Sequence, residues 1–338
     1  MKPIRIAING FGRIGRGLLR SIFQSTDNSS IIEVVAINDL GDTPILAHLL
    51  KYDSVHGRFN ATVEIEKDNI KINQQEIKVF HEKDPLTLPW KEFDIDIVIE
   101  STGLFLTKEL AGKHLKAGAK KVILSAPPKE DSIKTVVMGI NDAIINKTDT
   151  IISNASCTTN CAAPMVKVLD ENWELKEASI TTVHSYTSDQ RLHDAPHKDF
   201  RRARAAALSI IPTSTGAAKA ITKIFPHLEG KISGCGMRVP VPNGSLTDIT
   251  CVLLKTPTKG EINLAFKKAA EKELKGIMEY TTEPLVSIDI VGNFHSCIFD
   301  SDFTSVVGNM VKVIGWYDNE IGYSNRLIDL IKRINNPA

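Results

Sequence analysis

The stretch Ile4–Gly15, which reads IRIAINGFGRIG, decides the fold of the first part of the chain. Its first six residues have the apolar character of a buried strand, and Gly10, Gly12 and Gly15 follow in the spacing G-x-G-x-x-G before a helical pattern begins. Glycines in this turn let the backbone approach a pyrophosphate, and the first N–H groups of the helix face its charge. The stretch therefore predicts the first strand, turn and helix of a dinucleotide-binding domain.

An acidic residue stands where such a domain needs one. Asp39 closes a second strand-like run, Ile31–Asn38, and lies 24 residues after Gly15 (39 − 15). A carboxylate at this point accepts hydrogen bonds from a ribose 2′-hydroxyl and repels a 2′-phosphate, which favours NAD as the cofactor. The alternative is a glycine turn with an unrelated exposed aspartate. The agreement of strand, turn, helix and carboxylate favours the cofactor site.

The same alternation of strands and helices continues through the first half of the chain. Strand-like runs are Ile4–Asn9, Ile31–Asn38, Ile95–Glu100, Lys121–Ser125 and Thr150–Ser153, and helical runs are Arg13–Phe23, Thr43–Leu50 and Lys108–Ala117. Alternating β and α predicts an α/β fold with a doubly wound parallel sheet. The segment Ala61–Glu82 alternates polar and apolar residues and predicts inserted antiparallel strands.

The second half of the chain has a different character. The 338 residues exceed the roughly 250–300 that a single core accommodates, so two domains are expected. Helices are predicted at Cys157–Leu169, Ile262–Lys275 and Ile321–Ile334, and strands at Ala178–Tyr186, Leu246–Leu254, Leu285–Ile290 and Met310–Trp316. Between them Thr187–Pro212 lacks periodicity, and so long an irregular stretch is usually functional or part of an interface.

Composition excludes several classes of protein. A net charge of +1 gives no global basic field for nucleic acid or anionic membrane. No run of about 18 apolar residues predicts a membrane span, and the amino terminus does not have the pattern of a secretory signal. The five cysteines are odd in number and scattered, which indicates reduced thiols in the cytoplasm rather than a disulfide framework. No group of Cys and His has zinc-ligand spacing, so no metal is expected.

A candidate nucleophile lies at the start of the predicted helix Cys157–Leu169. The dipole at a helix amino terminus favours a thiolate, and a thiolate is the form that attacks a carbonyl carbon. His184, on the next strand-like segment, is the best-placed base, although an isolated histidine is more often structural. Cys161, one helical turn further, is more simply explained as a small packing residue.

Candidate anion sites follow in the second half. Arg201, Arg202 and Arg204 cluster in the irregular stretch, where a solvated basic surface is the alternative. Thr215–Lys219 opens a helix whose amino terminus suits an anion, and Arg238 ends a glycine-rich segment. Together they indicate more than one phosphate position.

With these motifs assembled, the chain closely resembles the phosphorylating glyceraldehyde-3-phosphate dehydrogenase family, from Ile4 to about Ile334. The stretches that carry the resemblance are Asn9–Gly15, Ser156–Cys161, Arg201–Ala206, Pro212–Ala218 and Trp316–Arg326. The resemblance implies that Cys157 is the nucleophile and His184 its base. It implies cofactor contacts at Gly10, Gly12, Arg13, Ile14, Gly15, Asp39, Lys83, Thr102, Ser125, Asn319 and Tyr323. It implies one phosphate site at Ser156, Thr158, Arg204, Thr215 and Gly216, and another at Thr187 and Arg238.

The resemblance also implies an architecture and a reaction. An NAD-binding domain of residues 1–155 would be completed by a C-terminal helix, 319–338, and residues 156–318 would form an α+β catalytic domain with a mixed or antiparallel sheet. The family is usually a homotetramer, and its reaction converts glyceraldehyde 3-phosphate, NAD and inorganic phosphate into 1,3-bisphosphoglycerate through a cysteine thioester. Lys83 stands where the family often has arginine.

Other functions remain open at this point. The nearest is erythrose-4-phosphate dehydrogenase, which this chain resembles around Leu49–Ser54 and His56–Phe59, although Thr215–Lys219 is closer to the glyceraldehyde enzyme. A non-catalytic NAD-binding interaction protein would not need both Cys157 and His184. A cysteine hydrolase would not need the dinucleotide motif.

Overall fold

A computed structural model describes residues 2–335 and divides the chain into two compact units. Unit 1 comprises 2–136, 142–155 and 324–335 of the described residues, and unit 2 comprises 137–141 and 156–323.

Unit 1 is built on a nine-stranded sheet. Its strands are β1 Ile4–Asn9, β2 Ile32–Asn38, β5 Val63–Glu66, β6 Asn69–Ile72, β7 Gln75–Phe80, β8 Ile97–Glu100, β9 Lys121–Leu124, β10 Lys134–Thr135 and β11 Ile151–Ser153. A separate two-stranded hairpin consists of β3 Tyr52–Asp53 and β4 Gly57–Arg58. The helices are α1 Arg13–Gln24, α2 Thr26–Ile31, α3 Thr43–Lys51 and α4 Lys108–Lys116.

The sheet order places a switch point in the middle of unit 1. The order is β10-β11-β9-β8-β1-β2-β7-β6-β5, with every pair parallel except β5–β6 and β6–β7. The chain runs outward from β1 to β2 and later returns to the opposite side of β1 as β8. Ligands of such sheets bind at the carboxyl ends of the strands at the point where the order reverses. The prediction of a doubly wound parallel sheet with an antiparallel insertion is confirmed.

Unit 2 is built on a seven-stranded mixed sheet. Its strands are β12 Leu175–Ser185, β13 Ile211–Thr213, β14 Ile232–Val239, β15 Ser245–Leu253, β16 Met278–Thr281, β17 Cys297–Val307 and β18 Met310–Tyr317, in the order β13-β14-β12-β15-β18-β17-β16. The helices are α5 Cys157–Trp173, α6 Ala217–Ile224 and α7 Lys259–Glu271, and α8 Ile321–Asn335 runs from unit 2 into unit 1. The β12–β14 and β16–β17 pairs are parallel and the others antiparallel.

Helix α5 packs closely against the centre of this sheet. It contacts β12, β15, β17 and β18. At Gly315 on β18, a Cβ atom would lie 2.6 Å from both Cys297 Sγ and Met165 Sδ, so a larger residue would push the helix away. Because α5 begins at Cys157, this packing sets the position of that residue over the sheet.

One predicted strand is wrong, and seven strands were not predicted: β3, β4, β10, β13, β14, β16 and β17. Leu285–Ile290 forms no strand: Asp289 Oδ2 accepts the Val286 N–H at 2.8 Å and holds a 3-10 turn at Ser287–Ile290. The strand β14 escaped notice because glycines weaken a strand pattern, yet a Cβ at Gly234 would lie 2.6 Å from Ile180 O, so the close strand pairing needs glycine there. The strands β16 and β17 were also missed. The segment 187–210 contains turns only, as predicted.

Candidate active site

The glycine turn after β1 uses its three glycines for two purposes. Gly10 has φ +92°, and a Cβ there would lie 2.7 Å from Thr102 N; at Gly15 a Cβ would lie 2.4 Å from Gly10 O. These two glycines allow close packing of strand, turn and helix. At Gly12, by contrast, a Cβ would meet no heavy atom within 4 Å. Gly12 therefore keeps a surface of bare backbone open to a ligand.

The start of α1 suits an anion. Its N-cap, Gly12, has no side chain to satisfy the first N–H groups, and the first turn carries no acidic residue. Arg13, predicted to meet a pyrophosphate, directs its guanidinium to Asp53, with contacts of 2.6 and 3.1 Å. Burial opposes ionisation of Asp53, but hydrogen bonds from the His56 N–H and Arg13 outweigh it and lower its pKa to about 2. Arg13 and Ile14 are the first two residues of this helix.

Asp39 lies at the carboxyl end of β2 and is bonded to the glycine turn. Its Oδ2 accepts the Phe11 N–H at 2.7 Å and its Oδ1 accepts the Gly41 N–H at 3.0 Å. These bonds fix the carboxylate plane while each oxygen keeps a second lone pair. The geometry suits a carboxylate that accepts further hydrogen bonds from a bound hydroxyl.

A buried polar network, not anticipated from the sequence, holds the strand ends together. Glu100, fully buried at the end of β8, accepts hydrogen bonds from Asn9 Nδ2 at 2.6 Å, from the Thr102 N–H at 2.8 Å and from the Thr102 hydroxyl. It also faces His114 Nε2 at 3.1 Å. Because Trp90 Nε1 can only donate to His114 Nδ1, at 3.0 Å, Nε2 carries the proton and donates to Glu100.

The remaining predicted cofactor residues of unit 1 lie around the same strand ends or further out. Thr102 follows β8 and Ser125 follows β9, where the Ser125 N–H donates to Glu100 O at 2.9 Å, and both are half-buried. Lys83 is exposed beyond β7.

In unit 2, Cys157 is the first residue of α5. The preceding Ala155 has φ +57°, a left-handed conformation that a non-glycine residue adopts at a cost of about 1 kcal/mol and that turns the chain sharply into the helix. Ser156 caps the helix, since its Oγ accepts the Thr159 N–H at 3.1 Å. The Cys157 side chain remains partly accessible to solvent.

The structure brings the two predicted catalytic residues together. Cys157 Sγ lies 3.4 Å from His184 Nε2. On the other side of the ring, Nδ1 lies 2.7 Å from Ser185 O and 2.7 Å from Arg238 Nη1, and Arg238 Nη1 donates to Ser185 O at 2.9 Å. Because a guanidinium only donates, the contact between Nδ1 and Arg238 is not a hydrogen bond in the tautomer that has its proton on Nδ1. Only the tautomer with Nδ1–H donating to Ser185 O leaves a lone pair on Nε2 facing the sulfur. In that tautomer His184 can act as the base.

Electrostatics keep this pair neutral before a ligand binds. Burial raises the pKa of the Cys157 thiol, and the positive charge of Arg238 and the Thr158 N–H only partly oppose it. Burial and then the Arg238 charge lower the pKa of His184 to about 3. The helix dipole expected to favour a thiolate is therefore outweighed by burial. A neutral imidazole beside a thiol is ready to accept its proton.

A chain of buried hydroxyls, which sequence reasoning missed, supports the pair from below. Tyr317 Oη lies 2.9 Å from Thr158 Oγ1 and 2.8 Å from Thr182 Oγ1. The Tyr317 ring meets the His184 ring edge to face, with centroids 5.9 Å apart. Burial raises the pKa of Tyr317 above its ordinary value, so it stays a neutral phenol. The Thr158 hydroxyl, predicted to contact phosphate, is engaged in this chain.

A cationic cluster stands beside His184, and it differs from the predicted one. The Thr187 hydroxyl donates to Asp189, and Asp189 pairs with Arg202 at 2.5 Å. Burial raises the pKa of Asp189, but the Thr187 hydroxyl and the charges of Arg238 and Arg202 lower it overall. Arg202 Nε also lies 3.6 Å from Asp199 Oδ2, so carboxylates balance its charge, and Arg238 is the guanidinium that directly contacts His184. Asp189, two residues after Thr187, is the feature of the sequence that could have indicated a partner for Arg202.

The residues of the other predicted phosphate site are less concentrated. Arg204 Nε donates to Asp194 at 2.8 Å, and both side chains are mostly exposed, at 67% and 61%. Thr215 and Gly216 begin α6, where Thr215 Oγ1 accepts the Ala217 N–H at 3.2 Å. The structure therefore does not bring Arg204 into the cluster of Arg202 and Arg238.

Asn319 and Tyr323, the last predicted cofactor residues, lie after β18 and are nearly fully buried. Asn319 Oδ1 accepts the hydroxyl of Ser185 at 2.8 Å and that of Ser245 at 2.9 Å. Two donors on one oxygen fix the orientation of the Asn319 amide.

Two general findings concern residues 2–335. None of their helices is both long and apolar enough to cross a membrane. In the same part of the chain, no three side chains of His, Cys, Asp or Glu are arranged to hold a metal ion.

Comparison with known proteins gives a consistent result. Residues 4–108 match the family model described as glyceraldehyde 3-phosphate dehydrogenase, NAD binding domain, and residues 156–319 match the one described as its C-terminal domain. The chain is 55% identical to glyceraldehyde-3-phosphate dehydrogenase 2 of Streptomyces avermitilis over 335 residues, covering 98% of this chain and 99% of the relative. It is 56% identical to the glyceraldehyde-3-phosphate dehydrogenase of Geobacillus stearothermophilus, with 97% of each chain covered.

The glycine turn gives a first prediction. Gly15→Ala should lower the free energy of unfolding by about 1–3 kcal/mol, because the new Cβ meets backbone. Gly12→Ala should change stability by less than about 0.5 kcal/mol but weaken NAD binding by about tenfold, because its Cβ fills open ligand space. Urea unfolding without NAD and a fluorescence titration with NAD measure both. Unchanged NAD affinity in Gly12→Ala would place the cofactor elsewhere.

The charge of Arg238 gives a second prediction. Arg238→Gln should raise the pH at which alkylation of Cys157 by iodoacetamide is half maximal, since the guanidinium lowers the pKa of the thiol. The matched control is Arg204→Gln, which should leave the profile unchanged because Arg204 pairs with exposed Asp194. Mass spectrometry of the labelled peptide distinguishes Cys157 from Cys235. Equal profiles in both variants would contradict the assigned electrostatics.

Proposed function

Because this chain belongs to the glyceraldehyde-3-phosphate dehydrogenase family, we propose that it oxidises glyceraldehyde 3-phosphate with NAD and inorganic phosphate to 1,3-bisphosphoglycerate through a thioester on Cys157. Family membership makes it an NAD-dependent oxidoreductase. The observation that carries the proposed chemistry is the 3.4 Å approach of Cys157 Sγ to a neutral His184 Nε2. Neither erythrose 4-phosphate oxidation nor a non-catalytic role is favoured by the relatives.

The residues of unit 1 fit an NAD molecule. The open space at Gly12 and the uncapped start of α1 suit a pyrophosphate, and the fixed carboxylate of Asp39 suits a ribose hydroxyl. We assign the cofactor to Gly10, Gly12, Arg13, Ile14, Gly15, Asp39, Lys83, Thr102, Ser125, Asn319 and Tyr323. The proposed NAD-binding domain is 1–155 with 319–338, and the catalytic domain is 156–318. The contact units support this division with two differences, since both 137–141 and 319–323 group with the catalytic part. Residues 336–338 lie outside the described part of the chain.

The protein's own groups carry the covalent steps. The Cys157 sulfur attacks the aldehyde carbon as its proton passes to His184 Nε2, and the imidazolium returns that proton to the carbonyl oxygen, which becomes the hydroxyl of a hemithioacetal. NAD, when bound, accepts a hydride. Loss of hydride from the carbon and of the hydroxyl proton to His184, neutral again, leaves the thioester. Phosphate oxygen then attacks the acyl carbon, the carbon–sulfur bond breaks, the acyl phosphate departs, and the Cys157 sulfur takes the proton back from His184.

Two anion sites match two phosphate groups, one on the substrate and one as acceptor. For one we propose Thr187 and Arg238. The 2.7 Å approach of Arg238 Nη1 to His184 Nδ1 supports its place beside the reacting groups, and the pairing of Arg202 with Asp189 adds Arg202. For the other we propose Ser156, Thr158, Arg204, Thr215 and Gly216. The starts of α5 and α6 support this second site, because helix amino termini bind anions. Arg204 pairs with Asp194 at the surface, so its charge adds little to this site.

The direct test is NADH formation from purified protein. Glyceraldehyde 3-phosphate should reduce NAD rapidly only when inorganic phosphate is present, and erythrose 4-phosphate should be the poorer substrate by kcat/KM. Cys157→Ser should bind NAD with wild-type affinity and show no measurable turnover, since serine lacks the thiol. Turnover by that variant would exclude the covalent route. Faster oxidation of erythrose 4-phosphate, or indifference to phosphate, would instead exclude the proposed substrates.

A homotetramer in the cytoplasm is also part of the proposal. Four large apolar side chains in the irregular segment are strongly exposed: Leu192, Phe200, Leu208 and Ile210, at 74%, 87%, 81% and 69%. Apolar exposure on this scale is typical of a surface covered by another subunit. Five free cysteines fit a reducing compartment. Neither nucleic acid nor membrane is proposed as a partner.

Analytical ultracentrifugation tests the assembly. The wild-type protein should sediment as four chains. Phe200→Asp with Leu208→Asp should shift it to smaller species, because charge in a covered apolar patch is costly. The control Leu264→Asp, which alters an exposed residue of α7, should leave the tetramer intact. A monomeric wild type would refute the proposed assembly.

A further inference from the structure

Ser185, at the end of β12, joins the catalytic base to the residue assigned to the nicotinamide. Its carbonyl oxygen accepts from His184 Nδ1 at 2.7 Å and from Arg238 Nη1 at 2.9 Å. Its hydroxyl donates to Asn319 Oδ1 at 2.8 Å, and its N–H donates to Ser245 Oγ at 3.1 Å. Ser185 has no exposed surface, and all its polar atoms are therefore committed inside the protein.

We propose that Ser185 and Ser245, here called the serine pair, are positioning residues that make Asn319 a hydrogen-bond donor to the carbonyl oxygen of the nicotinamide carboxamide. This inference rests on the proposed function, since it takes Asn319 as the nicotinamide contact. It goes beyond that function by assigning two further residues and the direction of one hydrogen bond.

The direction follows from the lone pairs and protons available. Ser245 Oγ already accepts the Ser185 N–H, so its own proton needs an acceptor, and Asn319 Oδ1 lies 2.9 Å away. The Ser185 hydroxyl proton finds the same oxygen at 2.8 Å. Reversing the amide would leave the two hydroxyl protons only the 3.5 Å contact between Ser245 Oγ and Ser185 Oγ, which can satisfy one of them. The amide nitrogen of Asn319 therefore points away from the serine pair and can only donate.

The same residue sets the tautomer of the base. In the base-competent tautomer, His184 Nδ1–H donates to the backbone carbonyl of Ser185, while Asn319 is held by the Ser185 side chain. Residue 185 pairs with Val239 of β14, so its backbone is fixed by the sheet. The base and the residue assigned to the nicotinamide are thus positioned by one residue. Removing the hydroxyl alone should loosen the ring and leave the base unaltered.

A double-mutant cycle tests whether the serine pair acts through Asn319. Ser185→Ala and Ser245→Ala should each raise the NAD dissociation constant roughly two- to tenfold, the effect of one hydrogen bond. In an Asn319→Ala background neither substitution should weaken NAD binding further. Equal losses in both backgrounds would overturn the proposal and indicate a general structural role. Fluorescence titration gives the dissociation constants, and thermal unfolding without NAD verifies that each variant folds. Should Ser185→Ala fail to fold, the Ser245→Ala half of the cycle decides.

A cofactor analogue tests the direction of the hydrogen bond. In 3-acetylpyridine adenine dinucleotide an acetyl group replaces the carboxamide, so the carbonyl remains and the NH₂ is lost. If Asn319 donates to the carbonyl, Ser185→Ala should weaken binding of NAD and of the analogue by the same factor. A loss confined to NAD would mean that Asn319 accepts from the carboxamide, which contradicts the proposal.

Two readouts separate this inference from the proposed function. Alkylation of Cys157 without NAD should have the wild-type pH profile in Ser185→Ala, because alanine keeps the carbonyl that binds His184. A changed profile would show that the hydroxyl also holds the base and would overturn the assigned division of labour. If the wild type forms NADH from glyceraldehyde 3-phosphate while Asn319→Ala keeps full NAD affinity, the function stands and the positioning inference fails.

Discussion

Burial of the Cys157–His184 pair is the constraint on which the chemistry of unit 2 depends. In water a thiol and an imidazole at this distance would gain little from each other. Here burial disfavours both charged forms, and the neighbouring charge of Arg238 further disfavours an imidazolium while it favours a thiolate. The pair therefore rests as thiol and imidazole, with the proton able to move over a single 3.4 Å contact.

Hydrogen bonds connect several polar side chains around this pair. Tyr317 holds two threonine hydroxyls beneath the imidazole, and Ser185 serves Arg238 and His184 through its carbonyl. Such networks cost stability only when one member is left without a partner, and complete ones restrict the site to one arrangement. The tight packing of α5 at Gly315 adds a steric limit, because the helix that carries the nucleophile cannot move away from or toward the sheet without a clash or a cavity.

Unit 1 also contains a buried hydrogen-bond network, which lies next to the proposed NAD site. The buried carboxylate of Glu100 gathers donors from Asn9, Thr102 and His114, and thereby connects the ends of β1 and β8 with α4. The glycine turn lies directly on this network, since Gly10 approaches the Thr102 backbone too closely for any side chain. The bare backbone at Gly12 is consequently held in place by buried groups and not by the ligand. A preformed site of this kind binds without first ordering a loop.

Short-range patterns of strand, turn and helix were enough to predict the parallel sheet and the glycine turn, and they indicated Asp39 and Cys157 as candidate site residues. The sequence also supplied the family, through long motifs in a fixed order. Strands with glycine, such as β14, were missed, since their stability comes from neighbours and not from local propensity.

Only the tertiary structure decided which charged and polar groups share a site. Arg202, rather than Arg204, lies with Arg238. Arg202 pairs with Asp189, whereas Arg204 pairs with Asp194 at the surface. Side-chain partners far apart in the chain, such as Ser185 and Asn319, are fixed by the register of the strands around them. The protonation state of Cys157 also depends on tertiary structure. Its position at a helix start predicts a thiolate, but burial, which no local sequence pattern encodes, raises the pKa of the thiol.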